Sequence, residues 1–235
     1  MRDQVAWLYK AAAARGLIVG SAGNVSARTK PGMLITPSGA DPESLAAADL
    51  VPVTMQGVAH DQAVPSSARP SSEWAMHAAV YAACPEAAFI VHSHADACTA
   101  LACLGSPLPA FHYLVVQFGG DQVRCAPYVT FGTQALADHA ARAIAGRSAC
   151  LLANHGMIVC GRSSQHALSQ AVLLETLCRQ YLLALSAGTP RLLTEPQMRD
   201  AQERFKTYGP RQPDPQRPDP RPPDPRQPDP QLLDR

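Results

Sequence analysis

What this chain lacks narrows its chemistry before anything it contains. No Cys-x-x-Cys pair occurs among its seven cysteines, Cys84, Cys98, Cys103, Cys125, Cys150, Cys160 and Cys178. That argues against a thiolate zinc site or a thioredoxin-type couple. Cys150 precedes Leu151-Leu152 and Cys160 follows Ile158-Val159, so such thiols read as buried and reduced, as in a cytoplasmic protein. Charge of one sign is also missing: 20 Lys and Arg stand against 19 Asp and Glu, for a formal net charge of +1. Neither nucleic acid nor an anionic membrane is implied, and an anionic ligand must be held by local geometry. No run approaches the ~18 apolar residues that a membrane span needs. Met1-Arg-Asp-Gln leads into a mixed helical pattern with no apolar stretch of the signal-peptide kind, so a cytoplasmic location is expected. A Gly-x-Gly-x-x-Gly fingerprint is absent, which removes the usual dinucleotide-binding reading.

Proline, by contrast, is abundant and concentrated at one end. Pro-Asp-Pro recurs four times at a five-residue period, at 213–215, 218–220, 223–225 and 228–230. Proline fixes φ and removes amide donors, and the five arginines and five aspartates after residue 209 balance without an apolar face. Residues 210–235 are therefore expected to be a disordered, polyproline-like tail behind a single domain at 1–209.

Within that domain helical and extended patterns alternate. Helices are expected at 3–15, closing at Gly16, then at 72–83, 96–104, 133–146 with Thr133 as cap, and 165–187. Short strands are expected at 34–36, 51–53, 88–92, 151–155 and 157–160, with Gly156 letting the chain turn between the last two. This is an α/β or α+β domain.

Three histidines stand out by position. His92 and His94 are two apart at the end of an apolar strand, a spacing that turns both side chains to one face. His155 ends another apolar run. Three imidazoles suit catalytic zinc, which keeps a coordination position open for water or substrate. A His-x-His pair also arises in solvated loops, so Glu73 matters. It follows Ser71-Ser72, natural helix caps, and by itself reads as a carboxylate complementing a helix dipole. Ser-Ser-Glu, His-x-His and Asn-His-Gly in one chain point together to a metal site. His77 lies four residues beyond Glu73 on the same helix face, placed either to support it or to serve the core. His60, His112, His139 and His166 read as structural.

Gly20-Ser-Ala-Gly-Asn-Val-Ser-Ala-Arg28, Leu34-Ile-Thr-Pro-Ser-Gly39, Ser71-Ser-Glu-Trp74, Val91-His-Ser-His94 and Asn154-His-Gly156 resemble the signature blocks of the class II aldolase/adducin family. Pro109-Ala-Phe-His-Tyr113, Cys125-Ala-Pro-Tyr-Val-Thr-Phe-Gly-Thr133 and Phe205-Lys-Thr-Tyr-Gly209 are similar to blocks of its L-fuculose-phosphate aldolase branch. The resemblance spans residues 5–209. It implies a central, largely antiparallel sheet flanked by helices, assembled as a homotetramer. It implies zinc on His92, His94 and His155, with Glu73 as a potential fourth ligand and as catalytic acid/base. Phosphate would sit among Asn24, Ser38, Gly39, Ser71 and Ser72, and Tyr113 of a neighbouring subunit would act at the leaving aldehyde. Phe131, Phe205 and Tyr208 would line the aldehyde side.

The implied reaction is cleavage of a ketose 1-phosphate, of the L-fuculose 1-phosphate kind, into dihydroxyacetone phosphate and a small aldehyde such as lactaldehyde. The same residues would serve 5-deoxyribulose 1-phosphate or 5-methylthioribulose 1-phosphate. A family epimerase would carry aspartate at Glu73, decarboxylases and dehydratases would lack the Tyr113 and Tyr208 blocks, and an adducin-like module would lack the three histidines. Ser38 and Asn154 depart from the fuculose branch, which has threonine and histidine there.

Overall fold

The computed structural model describes residues 1–59 and 69–208; the expected tail from residue 210 and His60 lie outside them. Along the chain come α1 (Arg2–Ala13), β1 (Gly23–Arg28), β2 (Gly32–Ile35), β3 (Val51–Thr54), α2 (Trp74–Ala83), β4 (Phe89–Ser93) and α3 (Asp96–Cys103). They are followed by β5 (Cys125–Ala126), α4 (Gln134–Ile144), β6 (Ala149–Leu152), β7 (Gly156–Gly161), α5 (Ser164–Ala187) and α6 (Glu195–Phe205). Gly16 takes φ +71° just past α1, as its closing role requires. Thr133 caps α4 by accepting from the Leu136 amide, and Ser163 caps α5 by accepting from His166.

Among the described residues the strands form one open sheet in the order β3-β2-β1-β4-β7-β6-β5. Every neighbouring pair is antiparallel except β5 with β6. Helices cover both faces, so the strands are largely buried and side-chain alternation sorts them between two cores. Val25, Ala27, Leu34, Phe89, Val91, Met157 and Val159 pack on the side of α1, α3 and α5. Met33, Ile35, Ile90, Cys150, Ile158 and Cys160 pack on the side of α2 and α4. The result is a mixed α/β domain with a largely antiparallel sheet, as expected. No helix among the described residues is long and apolar enough to cross a membrane, and all seven cysteines are free thiols.

Several details differ from the expectations, the short β5 among them. Gly23–Arg28 is a strand that the pattern did not announce, because its α2-facing positions, Asn24 and Ser26, are polar yet buried. α6 was also unannounced, since Met198 is its sole buried residue. α2 begins at Trp74, which leaves Glu73 at the N-cap position with φ −100° and ψ 15° instead of inside the first turn. His155 lies in the turn between β6 and β7, where the left-handed residue is Asn154 at φ 53°. Gly156 is needed for a different reason: a Cβ there would stand 2.3 Å from the Ser93 carbonyl oxygen.

Candidate metal centre

β4 and β7 are antiparallel neighbours, with Ser93 opposite Met157. That register brings the end of β4, and His94 just beyond it, against the turn that carries His155. The ring centroids of His92, His94 and His155 are 4.8–5.0 Å apart with interplanar angles of 71–76°. One ligand atom from each lies within 4.8 Å of the others. His92 Nε2 is 3.1 Å from His94 Nε2. The far nitrogen of His92, Nδ1, is 2.9 Å from the Met157 carbonyl oxygen and donates to it, which points Nε2 toward its partners.

Glu73 enters from the start of α2. Its Oε2 lies 3.1 Å from His92 Nε2 and its Oε1 3.2 Å from His155 Nε2. The second approach makes no hydrogen bond, so Oε1 is a buried oxygen without a hydrogen-bond partner. Burial opposes the ionised carboxylate, but His92 and His155 beside it outweigh that and hold its pKa below the ordinary value. Burial first, then the neighbouring His92 and His155, push His94 down to about 4, so its ring is neutral at pH 7. Three converging imidazoles and an orphaned carboxylate oxygen make a donor set that fits a divalent ion of the zinc type.

The centre forms one wall of a cavity of about 580 Å³. Asn24, Ser38, Gly39, Ser71, Ser72 and Phe131, all expected at the site, line it with Glu73, His94 and His155. The Ser71 hydroxyl accepts from the Glu73 amide at 3.3 Å, which holds the Ser-Ser-Glu turn in shape. Gly39, at φ +71°, turns the opposite rim. The Asn24 side chain is spoken for on one side: Nδ2 donates to Glu73 Oε2 at 2.9 Å. Reading the residues singly missed that link, and it missed Tyr128 and Asn154, which also line the cavity. The signal for Tyr128 was its place in the same block as Phe131.

Tyr113, Phe205 and Tyr208 are not brought to this cavity within one chain. Tyr113 and Phe205 stack with ring centroids 6.0 Å apart, and Phe205 meets Tyr208 edge to face at 5.6 Å. Tyr113 and Tyr208 are largely exposed. His77 is fully buried beneath Glu73. His112 caps the 3-10 segment at 113–118 by accepting from Leu114, and His139 bonds Arg142 at the surface.

Residues 3–182 match the family described as the class II aldolase and adducin N-terminal domain. A 5-methylthioribulose-1-phosphate/5-deoxyribulose-1-phosphate aldolase of Rhodospirillum rubrum is 45% identical over 194 residues, covering 83% of this chain and 86% of that one. An L-fuculose phosphate aldolase of Escherichia coli K12 is 42% identical over 195 residues, covering 83% and 88%. Among solved structures, an L-fuculose 1-phosphate aldolase superposes with a TM-score of 0.81 at 35% identity, over 87% of this chain and 95% of that one. The fuculose-1-phosphate aldolase of Thermus thermophilus gives 0.67 at 28% identity, over 81% and 97%.

Proposed function

The chain belongs to the class II aldolase and adducin family and is a sugar-phosphate aldolase, and from that premise we propose that it splits a ketose 1-phosphate between C3 and C4. The products are dihydroxyacetone phosphate and a small aldehyde. The observation that carries this is the convergence of Glu73 with His92, His94 and His155 at one wall of a cavity whose other lining includes Ser38, Gly39, Ser71 and Ser72.

His92, His94 and His155, with Glu73 in reach, would hold the divalent ion, zinc being the best fit to three imidazoles. When bound, such an ion supplies Lewis-acid stabilisation of the negative charge that develops on the three-carbon fragment. The protein's own groups do the rest. The substrate phosphate sits among the Ser-Ser-Glu turn, Ser38, Gly39 and Asn24, where turn amides and hydroxyls stand in for lysine and arginine. As the C3–C4 bond breaks, the electron pair of the bond stays with C3 and the proton of the C4 hydroxyl passes, by way of Tyr113 of a neighbouring copy, to solvent. Glu73, ionised at rest, takes one proton back from solvent and delivers it to C3, so that none is gained or lost as dihydroxyacetone phosphate is completed. Tyr113 of a neighbouring copy serves the C4 oxygen; its exposure and its absence from this chain's own cavity lining support a role between subunits of a homotetramer.

The aldehyde should be small and apolar-ended. The residues assigned to that side, Phe131, Tyr113, Phe205 and Tyr208, carry no positive charge, and a second phosphate there would be desolvated without a partner. L-Fuculose 1-phosphate, giving lactaldehyde, is the first reading. The 45% identity to the Rhodospirillum rubrum enzyme favours a second, in which 5-deoxyribulose or 5-methylthioribulose 1-phosphate gives acetaldehyde or its methylthio derivative. The test is a panel of aldehydes condensed with dihydroxyacetone phosphate by metal-loaded protein. Lactaldehyde, acetaldehyde and methylthioacetaldehyde should be accepted, and their kcat/KM values rank the two readings. Comparable kcat/KM for glyceraldehyde 3-phosphate would overturn the pocket assignment.

A further inference from the structure

Glu73, His77 and Tyr81 are spaced four apart at the start and along one face of α2. Beneath them, Asn24 and Ser26 are alternate residues of β1, opposite His92 and Ile90 of β4. They therefore point to the same side of the sheet, the side that α2 covers. The helix period and the strand period meet in an unbroken chain of side-chain contacts: Glu73 Oε2 to Asn24 Nδ2 at 2.9 Å, Asn24 Oδ1 to His77 Nε2 at 2.6 Å, His77 Nδ1 to Ser26 Oγ at 2.7 Å, and Ser26 Oγ to Tyr81 Oη at 2.9 Å. Ser26 and His77 have no exposed surface, Tyr81 has 1% and Asn24 5%.

The donors along this chain follow one from another. An ionised carboxylate only accepts, so Asn24 must turn its amide nitrogen to Glu73. Its Oδ1 then faces His77, whose Nε2 must carry a hydrogen. The ring is wholly buried with no carboxylate among the described residues in hydrogen-bond contact, so it is neutral and Nδ1 is bare. Ser26 must therefore donate to Nδ1, and its oxygen is left to accept from the Tyr81 hydroxyl. Flipping Asn24 would set two acceptors 2.9 Å apart at Glu73, and flipping the tautomer would set two at 2.6 Å. The far end is anchored by Arg28. Its guanidinium lies 4.6 Å over the Tyr81 ring and donates to the Tyr81 and Cys84 carbonyls.

We infer that Tyr81, Ser26, His77 and Asn24 form a positioning relay for Glu73. The relay holds Oε2 between Asn24 and His92 and leaves Oε1 turned to His155. This rests on the role given to Glu73 above. It also changes what Asn24 does: beyond any contact with phosphate, it orients the acid/base. None of the four is a catalytic residue by this argument, since each acts through Glu73.

The test uses His77→Gln, Ser26→Ala and Tyr81→Phe in the full chain, assayed in the metal-loaded enzyme with the aldehydes it accepts. Expected is a fall in kcat of roughly 10-fold or more for His77→Gln and a smaller fall for the other two. KM for dihydroxyacetone phosphate should stay within about two-fold. Placed on Glu73→Gln, the same substitutions should lower kcat no further, because their effect runs through the carboxylate. A drop that adds fully to that of Glu73→Gln, or a change in KM alone, would overturn the relay. Metal-free wild-type protein supplies a readout independent of turnover: nitrogen-15 imidazole spectra should show His77 as the Nε2–H tautomer. An Nδ1–H tautomer would break the chain at its centre. Should the wild-type protein prove inactive as an aldolase, the functional reading falls while the tautomer measurement still decides the relay.

Discussion

His92 and Met157 are joined by a bond that sequence spacing does not announce: the imidazole Nδ1 donates to the Met157 carbonyl at 2.9 Å across the β4–β7 pair. It is a ring-to-backbone contact at the edge of the centre, and it selects the nitrogen that faces inward. Main-chain acceptors of this sort fix tautomer and orientation together, which is what a metal-binding imidazole needs. The centre is thus organised by the sheet itself.

Wild-type protein should carry about one divalent ion per chain, measured by elemental analysis, and lose activity to a chelator. Alanine at His92, His94 or His155 should remove most of the metal and the rate with it. A fully active, metal-free preparation would end the assignment.

Glu73→Gln should fold normally and keep much of its metal while turnover falls by roughly 10²–10⁴. The amide preserves shape and can still pair with Asn24 after a flip, but it cannot carry the proton. Steady-state rates within a few-fold of wild type would reduce Glu73 to a carboxylate at a helix start.

Glu175 is a buried carboxylate on α5 that accepts from the amides of Ala97 and Cys98, each at 3.0 Å. It caps α3, whose own N-cap residue, Ala95, has no side chain to do so. Since α3 starts two residues after His94, this cap should also steady the candidate metal centre. Glu175→Ala should cost about 1–3 kcal/mol for each amide left unsatisfied, seen as a lowered Tm, and should weaken metal retention. Glu175→Gln keeps one acceptor and should lose less.

Gly156→Ala should be among the most damaging small substitutions. Its new methyl would lie 2.3 Å from the Ser93 carbonyl oxygen and 3.1 Å from His94 Cδ2, so β4, β7 or the His94 ring must move. Reduced metal content together with reduced thermal stability is the expected result. Unchanged metal content would show that the strands absorb the methyl elsewhere.

Removal of residues 210–235 should leave metal content, Tm and sedimentation behaviour unchanged, because the Pro-Asp-Pro repeat offers no apolar face to the domain. Loss of assembly on truncation would make the repeat an interface element. The cut must spare Phe205 and Tyr208, which stand just before it.

The sequence alone determined the parts of this protein that local chemistry controls. Helix ends at Gly16 and Thr133 follow from φ freedom and hydroxyl capping, and the strands around His92 and Ile158 follow from apolar β-branched runs. The three histidines and Glu73 were legible as a set because zinc-type chemistry draws on few residue types. What only the tertiary structure decided depends on contacts between distant segments. Whether Asn24 faces a ligand or Glu73 is set by the pairing of β1 beneath α2, and the polar Asn24 and Ser26 hid that strand from a hydrophobic pattern. The reason for Gly156 lies in a carbonyl of another strand, 63 positions earlier at Ser93. The separation of Tyr113 and Tyr208 from the cavity is likewise a matter of packing, because α6 lies against the 3-10 segment at 113–118. Periodicity places a residue on a face. Only the fold determines which face it meets.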